Sequence, residues 1–180
     1  MGRPVGTERD PRLAMSAPDL VALLDRLEEA GIDVWLDGGW GVDALLGEET
    51  REHDDVDLLL SLDDVPSLIE VVGQSGYELA DGAPPTNFVL LDDVGRQVDV
   101  HPVAFTAIGD GFYLMKEGGN WTYPAAGFRG AGSVAGRRVR CLTPEVQVLC
   151  HAGYELDGTD HADLAALRDR FGVELSNKGN

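Results

Sequence analysis

Basic residues are scarce in this 180-residue chain. Its 14 lysines and arginines stand against 32 aspartates and glutamates, a formal charge of −18 at neutral pH. A surface that follows a nucleic acid needs a basic patch, so this balance argues against such a partner. The surface reads instead as acidic and solubilising, and it would suit a cationic small co-substrate. Cysteine is nearly absent. Cys141 and Cys150 have no metal-ligand spacing, and both read as reduced, buried thiols of a cytoplasmic protein. No apolar run approaches the roughly 18 residues of a membrane span, so no membrane partner is expected. The segment from Met1 to Pro11 is polar and lacks the apolar stretch of a signal peptide. Residues 1–14 read as a loose tail. There is no internal repeat and no low-complexity tract, and the length suits one domain with at most a small appendage.

What is present is clear punctuation. Ser16, Pro18 and Asp19 predict a helix start, Leu20, Leu23, Leu24 and Leu27 form its apolar stripe, and Gly31 ends it. A short buried strand is expected at 34–36, then a glycine corner at Gly38-Gly39 and a short helix from Trp40 to Leu46. Residues 56–60 read as a strand and 66–74 as a helix. Residues 88–91 and 97–103 read as a hairpin around Asp92-Asp93-Val94-Gly95. Short strands and glycine turns fill 109–135, with a further strand at 137–142. Thr143-Pro144-Glu145 predicts a helix start, and a last helix is expected from Asp160 to Phe171 with Leu164, Leu167 and Phe171 on one stripe. The order predicts an α+β fold: a core at 15–142, built as a mixed sheet flanked by helices, and a helical portion at 143–180 packed on it.

The chemistry is carried by acids placed on strands. Asp55 and Asp57 flank Val56, so both carboxylates point to one face while Val56 enters the core. Two like charges this close are costly without a cation between them. Hard oxygen donors at this spacing suit Mg²⁺, which takes one or two carboxylates and completes its shell with phosphates and water. Asp99 lies between Val98 and Val100 and projects from the face opposite them. Beside the other two it could ligate metal or take a proton from an attacking hydroxyl. An EF-hand loop is excluded, because its glycine and terminal glutamate are missing. Gly38 and Gly39 could bring backbone N–H groups to a triphosphate.

Gly38-Gly39, Asp55-Val56-Asp57 and Val98-Asp99-Val100 match the signature of the polymerase-β-like nucleotidyltransferase superfamily. The longer stretches beginning at Trp35 (WLDGGWGVDALLG), Thr50 (TREHDDVDL) and Val98 (VDVHP) resemble small-type lincosamide nucleotidyltransferases and the related aminoglycoside 2″-adenylyltransferases. Gly136 to Glu145 and His151 to Glu155 extend the likeness over about residues 18–175. The resemblance implies a polymerase-β-like core, a nucleoside triphosphate donor, two Mg²⁺ ions and a hydroxyl acceptor on an antibiotic-like small molecule. It implies that Asp55 and Asp57 hold the metals and that Asp99 is the general base or a shared ligand, with release of pyrophosphate. It also implies pairing of two copies.

Around this centre, Arg51 is assigned to phosphate oxygens, with an ion pair to Glu48, Glu49 or Glu52 as the alternative. His53 and Asp54 either position the metal aspartates or are loop polar groups. Asp43 is expected to brace Arg51 or the turn, and Trp40 to pack. His101 shares the face of Asp99, where aminoglycoside relatives carry an acid. This departure favours a lincosamide-like acceptor. Gln147, His151 and Tyr154 lie a turn apart and are assigned to a cleft wall, with Tyr113, Trp121 and Tyr123 as further acceptor contacts. His161, Asp160 and Asp163 are expected at the surface. The competing readings are an aminoglycoside acceptor, a non-antibiotic acceptor, and a non-catalytic ligand-binding module. The module reading is disfavoured because all three carboxylates are present.

Overall fold

The computed structural model describes residues 14–174. The expected tail therefore lies, but for residue 14, outside the described residues. Helix α1 spans Ala17–Glu29 and begins where the Ser16 hydroxyl accepts the Asp19 N–H. Strand β1 (Val34–Asp37) follows, then α2 (Gly38–Leu46), β2 (Asp55–Ser61) and α3 (Val65–Gly73). Next come β3 (Glu78–Gly82), β4 (Phe88–Leu91), β5 (Gln97–Phe105), β6 (Gly111–Leu114) and β7 (Asn120–Tyr123). The hairpin β8 (Ala131–Val134) and β9 (Arg137–Arg140) leads to α4 (Pro144–Cys150) and α5 (Gly158–Phe171).

The main sheet has the order β1-β2-β5-β4-β3. Strands β2 and β5 are parallel, and the other pairs are antiparallel. Strand β5 is long enough to serve two partners on one edge: Gln97–Val100 pair with β4, and Val103–Phe105 with β6. The expected hairpin of β4 and β5 is present. One face of β2 and β5 sends Val56, Leu58, Leu60, Val98 and Val100 into the main core, against Leu20, Leu23, Leu24 and Leu27 of α1 and Leu68 and Val72 of α3. The opposite face carries the acids at one end. Farther along, it joins a second cluster with Leu59, Val103, Tyr113, Tyr123, Leu142 and Val146.

Several expectations change. Helix α2 starts at Gly38 rather than Trp40, because the Asp37 carboxylate accepts the Gly38 N–H at 2.8 Å and caps it. The paired glycines are thus the first turn of the helix itself. Thr143 occupies the cap position of α4 but makes no side-chain cap bond. Phe171 remains 39% exposed, outside the stripe expected of it, while Leu167 packs with Val42 and Val148. Asp163, expected at the surface, is buried. It lies one turn ahead of Leu167, on the face that docks α5 against α2.

Candidate active site

Pairing across three neighbouring strands lines up three aspartates. Asp57 of β2 lies in register with Asp99 of β5 on one side and with Asp37 of β1 on the other. Asp55 lies two residues before Asp57 on the same face, in register with Gln97. Gln97 Nε2 donates to Asp99 Oδ1 at 2.7 Å. Asp37 is the member of this row that sequence reasoning did not assign. The available signal was its position, the last strand residue before the glycine corner, but its alignment with Asp57 is a property of strand pairing alone.

The glycine corner closes on this row. Gly38 has φ +59, and a Cβ there would strike the Asp57 carboxylate. A Cβ at Gly39 would lie 2.6 Å from His53 Nδ1 and would also strike the Arg51 guanidinium. Glycine is therefore required twice in succession, once against a row acid and once against a cation. The N-terminal N–H groups of α2 open beside the carboxylates, where a helix end favours phosphate.

Burial, together with the negative charge of Asp57, pushes the Asp37 carboxyl above its ordinary pKa. His101 supplies a countercharge to Asp57. Its Nε2 lies 3.0 Å from Asp57 Oδ1, and its Nδ1 lies 3.1 Å from the Tyr113 hydroxyl. Burial disfavours the imidazolium, but the bond to Asp57 and the charges of Asp57, Asp37 and Asp99 outweigh it and raise the His101 pKa. Burial also pushes the Tyr113 hydroxyl upward, so it stays protonated and able to donate.

These residues fit a divalent ion in donor type. They are hard oxygen ligands on one face, and burial together with the charge of Asp57 raises the pKa of Asp37. Among the described residues no group of three or more His, Cys, Asp or Glu side chains is placed to hold a metal ion by itself. Mg²⁺ needs no such group, since substrate phosphates and water complete its shell.

Arg51 makes its ion pair with Asp163 rather than with the carboxylate of Glu48, Glu49 or Glu52, and its Nη1 donates to the Glu52 carbonyl at 3.5 Å. Its Nη1 lies 3.0 Å from His53 Nδ1, and its Nη2 donates to Asp163 Oδ2 at 3.2 Å. Asp43 braces the turn, as one of its two expected roles had it: it accepts from the Thr50 N–H and hydroxyl and meets His53. Trp40 is packed in the core, its ring 4.5 Å from that of His53 and tilted 39° to it. The expected wall of Gln147, His151 and Tyr154 divides. Gln147 is fully buried with its amide against Gly41, and neither amide atom has a partner among the described residues. His151 is buried, with Nδ1 2.7 Å from the Gln147 carbonyl, whereas Tyr154 is 55% exposed and donates to Asp160. Tyr113 does join the row, through His101. Tyr123 and Trp121 pack beside Tyr113.

A mixed sheet with helices, a glycine corner opening a helix and in-register aspartates define a nucleotidyltransferase, and solved structures bear this out. The lincosamide antibiotic adenylyltransferase LnuA, solved with lincomycin bound, superposes with a TM-score of 0.76 at 31% identity, over 86% of this chain and 98% of that one. ANT(2″)-Ia in complex with adenylyl-2″-tobramycin gives 0.70 at 21% identity, a likeness of fold. The aminoglycoside-2″-adenylyltransferase family model matches residues 19–167, and the chain belongs to that family. A lincosamide resistance protein of Staphylococcus haemolyticus is 32% identical over 150 residues, 83% of this chain and 92% of the relative. A 2″-aminoglycoside nucleotidyltransferase of Escherichia coli is 30% identical over 123 residues, 66% of this chain and 63% of the relative. The chain thus spans nearly all of the first relative and under two thirds of the second.

Proposed function

We propose that this enzyme moves a nucleoside monophosphate from a nucleoside triphosphate to a hydroxyl of a lincosamide-like antibiotic, releasing pyrophosphate. The observation that carries this reading is the row Asp37, Asp57 and Asp99 beside the α2 N-terminus. Asp55, Asp57 and Asp99 would hold Mg²⁺, which when bound would neutralise phosphate charge and activate the reacting oxygens. Within this reading Asp99 accepts the proton of the acceptor hydroxyl. The Gly38 corner lets phosphate approach the backbone, and Arg51 supplies fixed positive charge beside it. His101, held between Asp57 and Tyr113, orients the row and borders the acceptor.

A lincosamide is favoured over an aminoglycoside by two observations. The lincosamide relative aligns over 92% of its own length, and position 101 carries a histidine, set against Asp57, where a polycationic acceptor would call for an acid. A cytoplasmic setting belongs to the same reading and accords with the free thiols Cys141 and Cys150. Among the described residues no helix is long and apolar enough to cross a membrane.

The test is incubation with Mg²⁺, each of the four nucleoside triphosphates, and panels of lincosamides and aminoglycosides, followed by mass spectrometry. A lincosamide heavier by one nucleoside monophosphate is expected, with loss of the product in excess chelator. Mass gain on aminoglycosides alone would reverse the acceptor assignment, and none on either panel would point to a non-antibiotic acceptor.

A further inference from the structure

The helix α5 reaches the glycine corner through one side chain. Asp163 keeps only 9% of its side-chain surface exposed, while Arg51, 3.2 Å away, keeps 35%. The anchor is buried and the cation remains reachable. The second arm of the clamp is directional. An arginine N–H can only donate, so His53 Nδ1 accepts from Arg51 Nη1 at 3.0 Å and the ring proton resides on Nε2. That proton is donated to Asp43 Oδ2 at 2.6 Å, and Asp43 is fixed in turn by Thr50. The guanidinium is thus clamped between α5 and the loop before β2, close against Gly39, where a Cβ would strike it.

We infer that Asp163 is a positioning residue for the donor's phosphates: it holds Arg51 against the α2 N-terminus, and so makes α5 part of nucleotide binding. This rests on the assignment of Arg51 to phosphate made above. A long side chain gripping phosphate from free solution loses its rotamer freedom at that moment. Asp163 and His53 impose that order beforehand, which favours binding without any contact between Asp163 and the nucleotide. The buried placement of Asp163 has a simple source: Leu167, one turn later, docks α5 on Val42 and Val148.

The experiment measures binding of the triphosphate that the wild-type enzyme prefers, with Mg²⁺, by calorimetry, alongside kcat and both KM values. Asp163→Ala is expected to raise the nucleotide Kd and KM about tenfold, with acceptor KM unchanged. Asp163→Asn, which keeps an acceptor for Arg51, should recover most of the loss. Arg51→Ala should weaken nucleotide binding as much, and adding Asp163→Ala to it should cost nothing more. Thermal unfolding identifies the folded variants, and Asp163→Leu, which fills the buried site but offers Arg51 no acceptor, serves if the alanine variant does not fold. Unchanged or tighter nucleotide binding, equal shifts in both KM values, or additive losses would overturn the inference. Weakened nucleotide binding with no antibiotic modified would leave it standing while sinking the acceptor assignment. A wild-type protein that binds no nucleoside triphosphate would overturn both.

Discussion

His53 Nε2 lies 2.6 Å from Asp43 Oδ2, and neither side chain exposes more than 3% of its surface. The pair ties α2 to the loop that carries Arg51. Burial alone would raise the Asp43 pKa, but the bonds from His53 and Thr50 outweigh it and hold the carboxyl below its ordinary range. A carboxyl depressed in the folded state adds stability that is complete above its unfolded pKa, about 3.9, and is lost as pH falls through the folded value. Asp43→Asn should therefore be less stable than wild type at neutral pH and lose less on acidification. Urea midpoints followed from about pH 6 to about pH 3 check this, and parallel curves would contradict it.

Two glycines separate backbone strain from close approach. Gly31 has φ +74 with nothing within 4 Å of an added Cβ, whereas Gly38, at φ +59, faces the Asp57 carboxylate. Gly31→Ala should cost about 1–2 kcal/mol and leave transfer unchanged. Gly38→Ala should carry the same strain and also displace Asp57, lowering transfer by about 100-fold or more. Thermal unfolding and product formation are the readouts. Full activity in Gly38→Ala would show that the corner need not be this tight.

The aspartate row should respond in opposite ways in stability and rate. Asp57→Asn and Asp99→Asn are expected to cut transfer by about 1,000-fold or more without lowering the melting temperature. Asp37→Asn keeps a cap for Gly38 while removing a desolvated charge next to Asp57. In chelator-containing buffer it should melt above wild type. A lower melting temperature would mean that the Asp37 charge is compensated more fully than its neighbours indicate.

Tyr113 reaches the row through His101 Nδ1. Tyr113→Phe removes that one hydroxyl contact and leaves the His101–Asp57 pair in place. A loss of kcat of about threefold to tenfold is expected, with nucleotide binding preserved. A loss as large as that of Asp57→Asn would place the Tyr113 hydroxyl at the reacting atoms instead.

Much of this protein follows from sequence by itself. Period-3.6 leucines made α1, alternation around Val56 and Val98 made β2 and β5 and put their acids on one face, and the motifs around Gly38, Asp57 and Asp99 carried the family. Each of these is local: it depends on where a side chain points from its own backbone. Only tertiary structure aligned Asp37 with Asp57, because register is set by the partner strand. It alone turned Gln147 inward against Gly41, and it alone brought Asp163 across 112 positions to Arg51. Those placements come from how α4 and α5 dock on α2, and docking is decided by complementary surfaces far apart in the chain rather than by any neighbouring residue.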